Sequence, residues 1–181
     1  MIAAIEFDEV DSTLRIWHAY DPAAKAELFS TAINTGTSTF IVDPIPFAGK
    51  PLEGWPNVAA IVVTNANHQR ASAEFSERFK VPIFAGAESF DDVQLNAVAI
   101  DGAAPDEIAL CVNQSLIMGD ALINFEPHGF TFLPAKYCTN FKRMRQSLRQ
   151  LLDLDFERIL FAHGIPITSR AHERLAQLLN E

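Results

Sequence analysis

The first third of the chain alternates short apolar segments with polar turns, which is the pattern of β-strands joined by hairpins. Four segments are rich in β-branched or aromatic residues and predict strands: 3–7, 14–20, 27–34 and 39–42. Turn-forming residues separate them, at 8–12, 21–22 and 34–36. We expect an antiparallel meander, followed at 44–56 by a rigid loop rich in proline and glycine.

From residue 58 the pattern changes to strands that alternate with helices. Residues 58–63 are nearly all apolar, as expected of a strand that is covered on both faces. Residues 69–79 predict a helix, because Ala71, Phe75 and Phe79 recur at a spacing of four. Further strands are predicted at 81–85, 93–100, 107–112, 115–118 and 158–162. A helix is expected at 140–152, capped by Thr139, and a last one after Thr168 or Ser169.

Two β-rich halves, each closed by helices, favour two sheets packed face to face with helices outside. The pattern therefore predicts an α+β fold of the four-layer αββα sandwich type. We see no linker or low-complexity segment, so we expect one domain over residues 1–181.

Three of the predicted strands run into residues that can bind metals or ligands. The strand 58–63 is followed by Thr-Asn-Ala-Asn-His-Gln-Arg at 64–70, and the strand 115–118 is followed by Gly119-Asp120. The strand 158–162 ends at His163. Together with Phe-Ile-Val-Asp-Pro at 40–44, these segments resemble, in order and spacing, the landmarks of the metallo-β-lactamase superfamily. The resemblance implies an αββα sandwich that binds one or two metal ions along an edge between its sheets.

The family's ligand positions carry only part of the family's ligands. By this resemblance Asp120 and His163 match ligands, whereas four positions of the main block and one later turn hold other residues: Asn65, Asn67, Gln69, Arg70 and Ala103. Catalytic zinc needs about three protein ligands and an open position, and amide oxygens bind zinc poorly. A guanidinium repels a dication, so we expect no metal and an ion pair between Arg70 and Asp120.

Two hypotheses follow for the function. The preferred one is a non-hydrolytic relative that binds a small anionic ligand or acts structurally, with a polar cleft of Asn65, Asn67, His68, Arg70, Asp120 and His163. The alternative is a hydrolase of esters, thioesters or phosphoesters with one weakly held zinc, iron or manganese ion, bound by His68, Asp120 and His163. In the first hypothesis His68 is only a hydrogen-bonded histidine at a strand end. A metal-free acid–base enzyme using His163 and Asp120 is a third interpretation.

A long loop is predicted after Asp120, over 124–132, with three phenylalanines and His128. Two interpretations stay open: an aromatic lid over a ligand, or a loop that its phenylalanines pin to the core. Cys111 and Cys138 are the only cysteines, so no disulfide framework is expected, and a thiol would be reactive only if exposed beside a cation.

Composition narrows the classes of partner. The 181 residues carry a formal charge of −9, which argues against a nucleic-acid-binding surface. No apolar run approaches the roughly 18 residues of a membrane span, and no signal peptide is recognised. We therefore expect a cytoplasmic protein without nucleic-acid or membrane partners, and a homo-oligomer is left open.

Overall fold

The computed structural model describes residues 3–87, 95–125 and 129–180. The chain divides into two compact units. Unit 1 comprises the chain up to Val63 together with His68–Ala85, and unit 2 comprises Thr64–Asn67 together with the chain from Gly86 onward. The single domain over 1–181 stays a prediction.

Unit 1 contains a six-stranded sheet in which the strands follow one another in chain order. Its strands are β1 (Asp8–Asp11), β2 (Leu14–Asp21), β3 (Ala26–Asn34), β4 (Thr39–Val42), β5 (Val58–Val63) and β6 (Ile83–Ala85). Strands β1 to β4 are antiparallel neighbours, as the predicted meander requires, whereas β4, β5 and β6 are parallel.

The start of the chain departs from the expected pattern. The predicted turn at 8–12 is largely strand β1, and the predicted strand at 3–7 makes only an isolated bridge from Ala4 to Phe47. Charged residues are tolerated in β1 because it is an edge strand, where Glu9 forms an ion pair of 2.9 Å with Arg15 of β2.

Helix α1 (Ser72–Phe79) provides the crossover between the parallel strands β5 and β6. It begins three residues later than predicted and buries Phe75. The core of unit 1 contains residues from the sheet, from the loop after β4 and from this helix: Ala4, Trp17, Leu28, Ala32, Ile41, Ile45, Ile61, Ala71 and Phe75.

Unit 2 contains a four-stranded sheet with the order β12-β9-β8-β7. Its strands are β7 (Asn96–Ala99), β8 (Ile108–Val112), β9 (Ser115–Met118) and β12 (Arg158–Phe161). Strands β7, β8 and β9 are antiparallel, and β12 is parallel to β9. Asn113 and Gln114 both have positive φ, of 48° and 57°, and form the predicted hairpin turn between β8 and β9.

The segment after Asp120 is a second hairpin rather than the long loop that the sequence predicted. Strands β10 (Leu122–Phe125) and β11 (Gly129–Phe132) pair antiparallel. Phe130 and Phe132 pack against the core of unit 2, with ring centroids 5.9 Å from Phe161 and 6.0 Å from Phe141. Among the described residues of this segment, phenylalanines thus pin it to the core, and His128 lies outside the described residues.

Two helices complete unit 2. Helix α2 (Phe141–Leu148) continues as a 3₁₀ helix over Arg149–Asp153, and helix α3 spans Ala171–Asn180. The cap of α2 is Asn140 and not Thr139, because the Asn140 side chain accepts the Arg143 N–H. Among the described residues, neither unit has a helix with the length and apolar character of a membrane span.

The core of unit 2 joins these helices to both of its sheets. It consists of Ile100, Ala103, Ala109, Leu116, Met118, Ala121, Leu122, Met144, Leu148, Leu151, Phe156, Ile159, Phe161, Ile167, Ala171, Leu175, Leu178 and Leu179.

Candidate functional site

Asp120 and His163 are neighbours because the parallel strands β9 and β12 end at the same edge of the unit 2 sheet. Met118 pairs with Phe161, and each strand is followed at the second position by the functional side chain. The Ala162 N–H donates to the Met118 carbonyl over 2.9 Å, which extends the pairing beyond the strand ends. The register of two apolar strands thus places a carboxylate beside an imidazole.

The turn after His163 is held against strand β10. Gly164 has φ of +118°, and a Cβ there would overlap the main chain of Asn124. The Asn124 amide donates to the Ile165 carbonyl over 2.6 Å, and the Ile165 N–H donates to the Asn124 carbonyl over 2.7 Å. The backbone that carries His163 is therefore bound on both sides.

The separation of the two side chains can be compared with the distances expected for a hydrogen bond and for shared metal ligands. His163 Nε2 lies 3.5 Å from Asp120 Oδ1, and the side chains are 19% and 15% exposed. This is longer than a good charge-assisted hydrogen bond of about 2.8 Å. Two atoms bound tetrahedrally to one zinc ion at about 2.1 Å each would lie about 3.4 Å apart. The pair therefore fits two ligands of one metal ion better than an acid–base pair.

A buried network supports Asp120 from the other side. The Asn65 amide nitrogen donates to Glu107 Oε2 over 2.7 Å and to Asp120 Oδ2 over 3.1 Å. Glu107 is 3% exposed, and its Oε1 accepts the Ala121 N–H over 2.9 Å. These contacts link the side chain of Asp120 and the backbone that follows it to one carboxylate.

In unit 1 the parallel strands β4 and β5 lead to a second buried pair. Asp43 follows β4 and is 2% exposed, and its Oδ2 lies 2.9 Å from Nδ1 of His68, which is 3% exposed. A carboxylate beside Nδ1 fixes the orientation of the ring and its tautomer, and leaves Nε2 as the nitrogen that can bind other groups. His68 is thus a hydrogen-bonded histidine, as one interpretation of the sequence held.

Arg70 belongs to the same cluster of unit 1. Its Nη1 donates to the carbonyls of Phe29 and Asp43, over 2.6 and 3.1 Å. The hydroxyl of Ser30 also donates to the Asp43 carbonyl, over 2.7 Å. The predicted ion pair between Arg70 and Asp120 joins residues of different units and stays a prediction.

Comparison with solved structures identifies the fold. A metallo-β-lactamase from Pontibacter korlensis matches over 98% of this chain and 99% of its own, with a TM-score of 0.75 and 13% identity. TMB-1 matches over 99% and 98%, with a TM-score of 0.70 and 12% identity. An archaeal metallo-β-lactamase superfamily protein from Sulfolobus tokodaii matches over 83% and 79%, with a TM-score of 0.65 and 13% identity. The chain has the metallo-β-lactamase fold.

The resemblance found in the sequence is confirmed at the level of this fold, and so is the α+β class. No family model and no curated protein matches the chain. At 12% to 13% identity the metallo-β-lactamase fold is shared, and an activity is not assigned by the likeness.

Three positions at which the resemblance implies a metal ligand, 65, 67 and 103, hold other residues in this chain. Asn65 is 1% exposed, and its amide oxygen accepts the Asn67 N–H over 2.9 Å. Asn67 is exposed. Ala103 is fully buried in the core of unit 2, where its carbonyl accepts the Thr139 N–H.

Among the described residues, His68, Asp120 and His163 each carry a side-chain atom that can bind a metal ion. His68 belongs to unit 1, whereas Asp120 and His163 belong to unit 2. All three were predicted from the sequence as candidate ligands. Asp43 was recognised as part of the segment 40–44, but its contact with His68 was not predicted. Glu107 was missed, and its one signal was a charge at the start of an otherwise apolar strand.

The two thiols are not activated. Burial raises the pKa of Cys111, and the charge of Asp155 raises it further. The pKa of Cys138 is raised by burial and then by the charge of Glu107. Because the thiolate is the reactive form, both cysteines are less nucleophilic than an exposed thiol at neutral pH.

Proposed function

We propose that this protein binds one divalent metal ion through Asp120 and His163 of unit 2, and that it is a hydrolase of esters, thioesters or phosphoesters. We keep His68 as the third ligand because the alternative hypothesis from the sequence names it. The observation that carries the proposal is the 3.5 Å separation of Asp120 Oδ1 and His163 Nε2. That distance suits two ligands of one ion. The geometry thus favours the alternative over the preferred interpretation of the sequence.

The surroundings of each ligand support this role. Asp120 Oδ2 is engaged by Asn65, so Oδ1 is the oxygen presented toward His163. The Asp43 carboxylate lies on Nδ1 of His68, which is the usual outer partner of a metal-binding histidine. Three protein ligands with an open fourth position are the usual arrangement of a catalytic zinc ion.

The chemistry of the site divides between the ion and the chain. A bound divalent ion would lower the pKa of a water molecule and polarise a carbonyl or phosphoryl oxygen. The chain holds Asp120 in one orientation through Asn65, and it holds the backbone of His163 through Asn124. The proposed substrate classes, esters, thioesters and phosphoesters, follow from the resemblance of the fold to metallo-hydrolases.

Binding of a small anion without metal is the second candidate, and Arg70 favours it. Its guanidinium donates to the backbone carbonyls of Phe29 and Asp43, and a guanidinium is a planar cation with several N–H donors. A phosphate or carboxylate group would suit such a cation. The cytoplasmic location and the lack of nucleic-acid partners expected from the composition are kept as part of either proposal.

Metal titration of the purified protein tests the first candidate. After chelator treatment and dialysis, isothermal titration with zinc, manganese and iron(II) should give one equivalent for at least one ion. Asp120→Ala and His163→Ala should abolish this binding, and His68→Ala should weaken it. His18→Ala is the matched control, because His18 is exposed and pairs only locally with Glu27. No binding by the wild type would overturn the metal proposal.

The same samples test the second candidate. If phosphate raises the melting temperature of the metal-free protein, and Arg70→Ala removes the increase, the anion-binding interpretation takes precedence. If phosphate has no effect, that interpretation fails.

A further inference from the structure

Glu107 is a buried carboxylate that no ligand role accounts for. It directly precedes strand β8 and is 3% exposed. Both of its oxygens accept hydrogen bonds from the protein: Oε1 from the Ala121 N–H and Oε2 from the Asn65 amide. A buried carboxylate is costly unless it is hydrogen-bonded, so these two bonds define its position. Glu107 is thereby bound to the residue after Asp120 and to the side chain that contacts Asp120.

The orientation of the Asn65 amide is determined by its neighbours. Its oxygen accepts the Asn67 N–H over 2.9 Å, and the nitrogen faces two carboxylates. A flipped amide would place an oxygen against both carboxylates and a nitrogen against a backbone N–H. The two amide hydrogens are therefore directed at Glu107 and Asp120, one to each.

We propose that Glu107 and Asn65 act as a clamp that positions Asp120 for the metal ion. The proposal rests on the proposed function and deepens it, because it assigns positioning roles to two residues that do not themselves bind the ion. Asn65 occupies a position where the family pattern has a ligand, and here it holds a ligand instead. Glu107 holds Asn65 and the Ala121 backbone together.

The geometry explains why both members are needed. Without Glu107 the Asn65 amide could turn toward either neighbour, and Asp120 would lose the donor on Oδ2. Without Asn65 the Asp120 carboxylate would lose the amide that donates to its Oδ2, and its orientation would be less restricted. An outer hydrogen-bond partner of this kind commonly changes metal affinity by about 10- to 100-fold.

A double-mutant cycle in the metal-free protein tests the clamp itself. The urea midpoints of the wild type, Asn65→Ala, Asp120→Ala and the double variant are compared. Because the two side chains share a hydrogen bond, the double variant should shift the midpoint by less than the sum of the single shifts. Additive shifts would overturn the clamp. If Asn65→Ala does not fold, Asn65→Ser takes its place in the cycle.

Metal titration then tests the consequence. Asn65→Ala and Glu107→Gln should lower the affinity about 10- to 100-fold while the stoichiometry stays at one. Glu107→Gln keeps the size of the side chain but sets an amide N–H against a donor. Asn96→Ala and Glu173→Gln are matched controls, since both residues are exposed and lie elsewhere in unit 2. Both should leave the affinity unchanged.

The possible results separate the two proposals. A wild type that binds no metal overturns the proposed function, whereas the cycle still decides whether the clamp exists. A wild type that binds one ion, with full affinity in Asn65→Ala and Glu107→Gln, leaves the proposed function intact and overturns the positioning roles.

Discussion

Gly119 is required for the space that it leaves and not for a special backbone conformation. A Cβ at this position would lie 2.7 Å from Glu107 Oε1 and 2.8 Å from Thr64 Oγ1. Both neighbours are buried; Thr64 directly precedes Asn65, and Glu107 accepts a hydrogen bond from the Asn65 amide. A single hydrogen in place of a side chain thus leaves room for Glu107 and Thr64 beside the residue that precedes Asp120.

The change Gly119→Ala should therefore harm both stability and metal binding. We expect a loss of about 1–3 kcal/mol in the free energy of unfolding, because an added methyl group is forced into a packed site. Metal affinity should fall as well, since Glu107 must move. Urea unfolding and isothermal titration measure the two effects.

Gly49→Ala is the matched control for this change. Its added methyl group would meet only the ring edge of Phe47, a partly buried side chain that can rotate. Equal effects of the two variants would show that the space beneath Gly119 has no special role.

Strands that consist of a continuous apolar run were predicted with the right first and last residues. Strands β4, β5 and β9 match the predicted 39–42, 58–63 and 115–118, because each is an apolar run that ends at a turn. Strand β1 was missed because its four residues are mostly acidic, and only its pairing with β2 makes it a strand. Pairing partners are a tertiary property that a local pattern does not contain.

The residues of the candidate site also differ in whether the local sequence predicts them. Asp120 and His163 could be predicted, because each directly follows an apolar strand in a recognisable order. Glu107 could not, since it meets Asn65 across 42 residues of sequence and stands outside any local pattern of ligands. Replacement of ligands at positions 65, 67 and 103 was visible in the sequence, but the new role of Asn65 depends on contacts.

Helix α2 shows how one residue determines an element boundary. Asn140 has an extended backbone, and its Oδ1 accepts the Arg143 N–H over 3.0 Å. The preceding Thr139 directs its hydroxyl to the Ala103 carbonyl over 3.1 Å and so does not serve as the cap. We expect Asn140→Ala to lower the stability of the protein by about 1 kcal/mol, because an orphan N–H of the first turn loses its acceptor.

Urea unfolding of Asn140→Ala and Asn140→Ser measures this effect. Serine is also a good cap and should recover most of the loss. An equal loss in both variants would indicate that Asn140 matters for a reason other than capping.

At the scale of the whole molecule, the chain passes between the two units more than once. It leaves unit 1 after Val63, contributes Thr64–Asn67 to unit 2, and returns to unit 1 at His68 before it finally enters unit 2 at Gly86. The segment Thr64–Asn67 includes Asn65, whose amide donates hydrogen bonds to Glu107 and Asp120. The residues on either side of it belong to strand β5 and to the pair of His68 and Asp43. The covalent connection between the units thus runs through a segment that is hydrogen-bonded within unit 2.

This interleaving leads us to expect that residues 1–181 unfold as one domain, in a single cooperative transition. Ile61→Ala in the core of unit 1 and Leu175→Ala in the core of unit 2 should each cost about 2–5 kcal/mol and lower the same melting temperature. Differential scanning calorimetry of the wild type and both variants measures this, and the calorimetric and van't Hoff enthalpies should agree. If each variant instead shifted one of two separate transitions, the units would be independent domains. The segment 64–67 would then connect two units of which each can unfold while the other stays folded.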